Sequence, residues 1–241
     1  MQNVASSSVW RLRHAPRRHH VGEIDCRSLT KGIRLNWLAH VFLSESNVEF
    51  RLGNLLADIV KGEELRRVVS PAFLRGVQKH KQIDAFTDSH PLVKRSRARI
   101  SPQFRRFSGV LVDVFYDHLL ATNWQIYSPI VLDAFTAKFY ADIESSRLEL
   151  PSSARVTLDR IIRHDLLGAY RGTEGVERSL RRLSAYLSSR WRREFELERG
   201  VAELIAQRAG FDEDFLEFFP QLQAAVMQEP HTRNWHVRSL S

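Results

Sequence analysis

Four short segments each place two polar residues four positions apart. They are Asn36 and His40 in NWLAH, Asn54 and Asp58 in NLLAD, His80 and Asp84 in HKQID, and Asp113 and Asp117 in DVFYD. Asp88 follows Asp84 one turn later, and His118 follows Asp117 directly. On a helix, positions i and i+4 share a face, with Cβ atoms about 5–6 Å apart. In three of the segments the intervening residues are chiefly apolar: Trp37-Leu38-Ala39, Leu55-Leu56-Ala57 and Val114-Phe115-Tyr116. Such helices belong in a core, where a polar group is costly unless it is hydrogen-bonded or holds a metal. Four of these faces meeting would supply several imidazoles and carboxylates to one or two ions. Mixed nitrogen and oxygen donors suit Mn, Fe, Zn or Mg and do not suit copper(I) or an iron–sulfur cluster. The single cysteine, Cys26, excludes an internal disulfide and a multi-thiolate zinc site, and it fits a reducing cytoplasm.

Each position also has a plainer reading. His40 alone reads as a hydrogen-bonded core residue, and Asn36 and Asn54 as helix caps. Asp88 reads as a turn residue before His90-Pro91, and Asp84 as a surface partner of Lys81. Asp117-His118, inside an apolar run, is hardest to explain this way. Four matched pairs between Asn36 and His118 favour a common site.

The elements that position these residues read as helices throughout. Apolar spacing is helical from Leu35 onward, and no alternating strand pattern flanked by hairpin turns occurs. The expected segments are Asn36–Ser44, Val48–Val60, a helix capped by Ser70 running to about Ser89, and Pro91–Ile100. A helix starting at Ser101-Pro102 would carry Gly109–Ala121, and one starting at Ser128-Pro129 would reach Ile143. Ser152–Tyr170, Thr173–Arg190, Arg193–Gly210 and Asp212–Met227 complete the series, with Gly210 as a helix stop and Asp212 as a cap. The expected class is all-α, with one helical domain over residues 35–228 and a frayed end at 229–241.

The formal net charge of +8 is unevenly spread. Residues 1–34 carry seven Lys/Arg against two Asp/Glu and have little apolar periodicity, so they read as a disordered tail. Residues 61–106 carry twelve Lys/Arg against four Asp/Glu, while the segments on either side are slightly acidic. A basic stretch on a near-neutral body points to an acidic partner. The arginine-rich tail has one aromatic residue, Trp10, and no nucleic-acid-binding motif. No stretch approaches the roughly 20 apolar residues that a membrane span needs.

NWLAH (36–40), GNLLADIVKG (53–62), GVQKHKQIDAFTDSHP (76–91), VDVFYDHLL (112–120) and FLEFFPQL (215–222) together resemble the acyl carrier protein phosphodiesterase family. That family removes 4′-phosphopantetheine from holo acyl carrier protein and is a divergent branch of the HD phosphohydrolases. The resemblance implies an HD-like helical bundle, phosphodiester hydrolysis and a divalent metal. Manganese is the expected ion, with Mg, Fe or Zn also compatible. It places metal ligands at His40, Asp58, His80, Asp84, Asp117 and His118, with Asp58, His80 and Asp84 catalytic. Asn36, Asn54, Asp88 and Asp113 fall in supporting positions. Arg75, Lys79 or Lys81 would neutralise the phosphoryl oxygens, and Arg95, Arg97 and Arg99 would dock the acidic holo carrier protein, with Lys94, Arg105 and Arg106 nearby.

Three departures stand out. The family ordinarily begins with Met where this chain has Leu35. Leu codons TTG and CTG also start bacterial translation, so residues 1–34 are either a genuine extension or lie upstream of the true start. Asp117-His118 reverses the HD order. The one literal doublet, His164-Asp165, lies outside the matching segments and reads as a surface pair. Two other functions compete: an HD-like phosphohydrolase acting on a nucleotide or another small phosphoester, and a non-catalytic helical interaction protein.

Overall fold

The computed structural model describes residues 36–67 and 70–227. The expectations for the tail, for Leu35 and for 229–241 lie outside those residues. Among the described residues the protein is all-α, as expected. None of the helices there is long and apolar enough to cross a membrane.

The order begins with α1 (Trp37–Phe42), α2 (Val48–Leu56), α3 (Gly62–Arg67), α4 (Pro71–Ser89) and α5 (Pro91–Arg99). It continues with α6 (Ser108–Thr122), α7 (Trp124–Tyr127), α8 (Leu132–Ser145) and α9 (Ser152–Arg163). It ends with α10 (Thr173–Trp191), α11 (Val201–Ala206) and α12 (Arg208–Met227). Short 3₁₀ turns at Arg105–Phe107, Gly168–Arg171 and Leu197–Gly200 join them.

Helix α6 is the centre. It is buried continuously from Val110 to Ala121, and α1, α5, α10 and α12 pack around it. Apolar residues on every face explain this placement, since full burial of each large aliphatic side chain contributes about 1.5–3 kcal/mol. Phe115 meets Phe211 edge-on, and Tyr116 packs on Phe215 and Phe218 of α12.

Helices α2 and α4 meet backbone to backbone. A Cβ on Gly53 would lie 2.0 Å from the Phe73 carbonyl oxygen, and one on Gly76 would lie 2.1 Å from that of Phe50. Only glycine at both positions permits this approach. The crossing brings Asn54 and Asp58 against His80 and Asp84. Ser70 caps α4, its hydroxyl accepting from the Phe73 amide at 3.2 Å, as its place before Pro71 predicts.

Several boundaries differ from expectation. No α-helix starts at Ser101-Pro102 or Ser128-Pro129; α6 begins at Ser108 and α8 at Leu132. The segment read as Ser152–Tyr170 breaks after Arg163, where Asp165 takes a left-handed φ of 43°. Its carboxylate accepts from the Gly168 amide at 3.2 Å and from Tyr140 at 3.0 Å, while His164 is exposed. Gly210 does not stop a helix, and Asp212 does not cap one. Helix α12 runs through both, and Asp212 pairs with Arg208 one turn earlier, at 2.8 Å. Gly210 makes room for Arg99, whose guanidinium would lie 2.4 Å from an added Cβ.

Candidate metal centre

His40 projects from α1, His80 and Asp84 from α4, and Asp58 from the turn that ends α2. Nε2 of His40 lies 3.4 Å from Asp84 Oδ1, and Nε2 of His80 lies 3.2 Å from Asp84 Oδ2. Asp58 Oδ2 approaches His80 Nε2 at 3.6 Å. The imidazoles stack with centroids 4.3 Å apart. One donor atom each from His40, His80 and Asp84 falls within 4.8 Å of the others.

Asn54 orients both rings. Its Nδ2 donates to the His40 carbonyl at 2.9 Å and to Ser44 Oγ at 2.8 Å, which turns Oδ1 toward His40 Nδ1 at 2.7 Å. Its backbone carbonyl accepts from His80 Nδ1 at 2.8 Å. Each Nδ1 therefore carries a proton, and in the neutral ring each Nε2 keeps its lone pair for a ligand. Metal-binding histidines are commonly held this way, with the other ring nitrogen donating to a fixed acceptor. Nε2 of His40, Nε2 of His80 and Asp58 Oδ2 are buried and face the cluster's own charged groups at ion-pair distances without a well-aligned hydrogen bond. Converging donors of this kind fit a divalent cation.

The charges agree. Burial alone would lower the His80 pKa, but Asp58 and Asp84 beside it outweigh burial and raise it to about 9. Burial lowers the His40 pKa, against the pull of Asp84. Burial acts to raise both carboxylates. The histidines nonetheless hold Asp84 well below its usual range, and His80 with Lys61 holds Asp58 below its own. Without metal, His80 contributes stability fully below its unfolded pKa of about 6.5 and loses it as pH rises through about 9. The metal-free protein is therefore expected to lose on the order of 3 kcal/mol between those limits. A metal occupying Nε2 removes this titration, so a loaded sample should show no comparable fall. Melting curves at pH 6 to 9, with and without chelator, check this.

The structure places the other expected residues elsewhere. Asp117 is not with the histidines: its carboxylate accepts from the Leu38 and Ala39 amides, both at 2.9 Å. It caps the start of α1, the role the sequence reading gave Asn36, whose side chain makes no capping bond. His118 uses both nitrogens, donating from Nδ1 to the Tyr170 carbonyl at 2.7 Å and facing Arg208 from Nε2 at 3.0 Å. Neither is available to an ion at the histidine pair. Asn36 and Asp113, with Thr87, line a separate cavity of about 20 Å³. Asp88 pairs with Arg97 at 2.7 Å.

The basic residues also differ from expectation. Lys79 donates to the Val226 carbonyl at 2.6 Å, at the end of α12. Arg75 lies 3.7 Å from Glu45, and Lys81 is exposed. Arg95 and Arg99 both hold the fully buried Asp214, Arg99 at 3.0 Å, and Ser96 donates to it at 2.7 Å. Arg95, Arg97 and Arg99 thus each have an intramolecular partner. Reversing all three charges is expected to cost about 3 kcal/mol, because it leaves Asp214 buried among like charges. Activity should then fall equally on a carrier protein and on a small phosphodiester, which parallel assays and a melting curve check.

The sequence reading missed Lys61, whose Nζ lies 3.2 Å from Asp58 Oδ1. Lys61 falls in the matching segment 53–62 and in the basic stretch 61–106, but the sequence reading gives it no role at the site. The available signal was its spacing: three residues after Asp58, one turn brings it back.

An all-helical protein with two oriented histidines and an aspartate whose donor atoms converge defines a class: helical proteins with a His/Asp cluster that could hold a metal ion. A family model described as Acyl carrier protein phosphodiesterase matches residues 35–222, and the chain belongs to that family. A protein of that name from Serratia proteamaculans is 37% identical over 110 residues, 45% of this chain and 56% of that protein. Those from Photorhabdus laumondii and Salmonella dublin are 29% and 28% identical over 196 residues, covering 93% and 99% of their lengths and 78% and 81% of this chain. The chain thus spans little more than half of some relatives and nearly all of others. No solved structure matches it.

Proposed function

We propose that this protein is a metal-dependent phosphodiesterase that hydrolyses the bond between 4′-phosphopantetheine and the serine of holo acyl carrier protein. The observation that supports this most is the pair of buried imidazoles whose Nε2 atoms both face Asp84 without a well-aligned hydrogen bond, in a member of this family. His40, His80 and Asp84 would hold the ion, with Asp58 completing the donor set. Manganese is the ion we favour. A bound divalent cation supplies Lewis acidity toward a phosphoryl oxygen and lowers the pKa of a water molecule.

The residues then have distinct tasks. Asn54 keeps both Nε2 lone pairs facing inward. Asp58 and Asp84 stay ionised, as donors to a cation must. In the hydrolysis a water oxygen bonds to phosphorus as the bond to the serine oxygen breaks, and a metal held by these residues would favour loss of that water's proton. The serine oxygen takes a proton, and apo carrier and 4′-phosphopantetheine leave. The basic surface of residues 61–106 attracts the acidic carrier over distance, so KM should rise with salt. We read the fold as a divergent HD bundle working in the cytoplasm. Incubating the protein and Mn²⁺ with holo carrier tests the proposal: the carrier should lose the mass of its prosthetic group. Turnover of a nucleotide instead would favour the small-phosphoester alternative.

A further inference from the structure

We propose that Lys61 binds the phosphoryl oxygen of the substrate at this site. The inference rests on the phosphodiesterase reading and adds a residue to it. Lys61 Nζ sits 3.2 Å from Asp58 Oδ1, while Oδ2 of the same carboxylate faces His80 Nε2 at 3.6 Å. One carboxylate therefore separates the ammonium from the histidine pair. The chain is shaped for this. Helix α2 ends at Leu56, a turn carries Asp58, and Gly62 takes a left-handed φ of 55° that redirects the chain into α3. A Cβ on Gly62 would meet nothing within 4 Å, so backbone conformation, not crowding, calls for glycine there.

Exposure distinguishes Lys61 from its neighbours. Its side chain is 55% exposed, against 23% for Asp58, 17% for Asp84 and 1% for His40. An ammonium has three donors. Asp58 uses one, and the others face solvent, from which a phosphodiester must arrive.

Charge gives the reason for a base here. Asp58 and Asp84 offset the charge of a divalent ion, so an incoming anion meets a centre that is neutral except for Lys61. Attack on a phosphodiester gathers negative charge on the phosphoryl oxygens, and a fixed cation stabilises that charge. The other bases are engaged or turned away. Lys79 bonds Val226, Arg95 and Arg99 hold Asp214, and Arg97 holds Asp88. Lys81 is adjacent to His80 but is rotated about 100° from the face that carries His80 and Asp84.

Lys61→Gln, Lys61→Arg and the control Lys138→Gln, on the exposed face of α8 and outside the basic stretch, test the assignment in the Mn²⁺-loaded protein. Calorimetric titration with inorganic phosphate reads binding, elemental analysis reads metal content, and the carrier assay reads turnover. Lys61→Gln should keep wild-type metal content and melting temperature, bind phosphate about tenfold or more weakly, and lose roughly 10²- to 10³-fold in kcat. Lys61→Arg should recover part of both, and Lys138→Gln should match wild type. Unchanged phosphate affinity in Lys61→Gln would overturn the assignment. So would loss of metal in that variant, which would mean that Lys61 acts by positioning Asp58. Lys61-dependent phosphate binding without carrier turnover by wild type would sink the carrier reading and leave Lys61 assigned. Carrier turnover that ignores Lys61 would do the reverse.

Discussion

Replacing Asp84 with Asn should remove divalent metal from the protein and bring hydrolysis of holo acyl carrier protein below detection, with helical circular dichroism intact. Asp84 is the carboxylate shared by both imidazoles, at 3.4 Å from His40 and 3.2 Å from His80. Asn preserves its shape but removes the charge that a hard cation needs from an oxygen donor. Elemental analysis of the purified variant, beside the carrier assay, reads both effects. Wild-type metal content in Asp84→Asn would take Asp84 out of the donor set. Loss of helical signal would mean that the cluster serves folding instead.

The second large effect should come from a residue with no side chain. In Gly76→Ala the new Cβ would fall 2.1 Å from the Phe50 carbonyl oxygen and 2.8 Å from the Asn54 amide nitrogen. Backbone cannot yield as a flexible side chain can, so α2 and α4 must separate. A loss of about 3 kcal/mol or more is expected from such overpacking. The displacement acts on Asn54, which orients both histidines, so any folded fraction should also bind metal weakly. Gly109→Ala is the control: its Cβ would meet nothing nearer than 3.7 Å, and helix propensity there favours Ala. Denaturant melts and metal titration of the two variants make the comparison. Equal stability in both would refute the close-contact account.

The parts of this arrangement that could be read from sequence depend on local spacing. His80 and Asp84 share a face of one helix, and His40 and Asp58 stand out because a core helix carries few polar groups. The helix count was largely legible, since apolar periodicity from Leu35 onward is strong. Long-range pairing was not. Nothing in VDVFYDHLL tells whether the buried Asp117 meets a metal or the amides that begin another helix 79 residues earlier. His118 likewise spends a nitrogen on Tyr170, 52 residues away. The Arg95 and Arg99 cluster looked like a docking surface because Asp214 lies 119 and 115 residues further on. Ser101-Pro102 and Ser128-Pro129 carry good helix-start chemistry, but α6 and α8 begin later, where burial starts at Phe107 and Leu132. The expected helix stops at Val60, before Lys61-Gly62, and local spacing does not tell what the turn there places beside Asp58.

The most direct test of the account is mass spectrometry of holo acyl carrier protein incubated with chelator-treated protein, with and without restored Mn²⁺, beside His80→Ala. Conversion to apo carrier is predicted only for wild type with restored metal, with 4′-phosphopantetheine as the other product. His80→Ala should leave the carrier intact under every condition. Conversion that persists after complete metal removal, or that survives loss of His80, would contradict the account at its centre. So would a carrier that stays holo with wild-type protein and every divalent metal supplied.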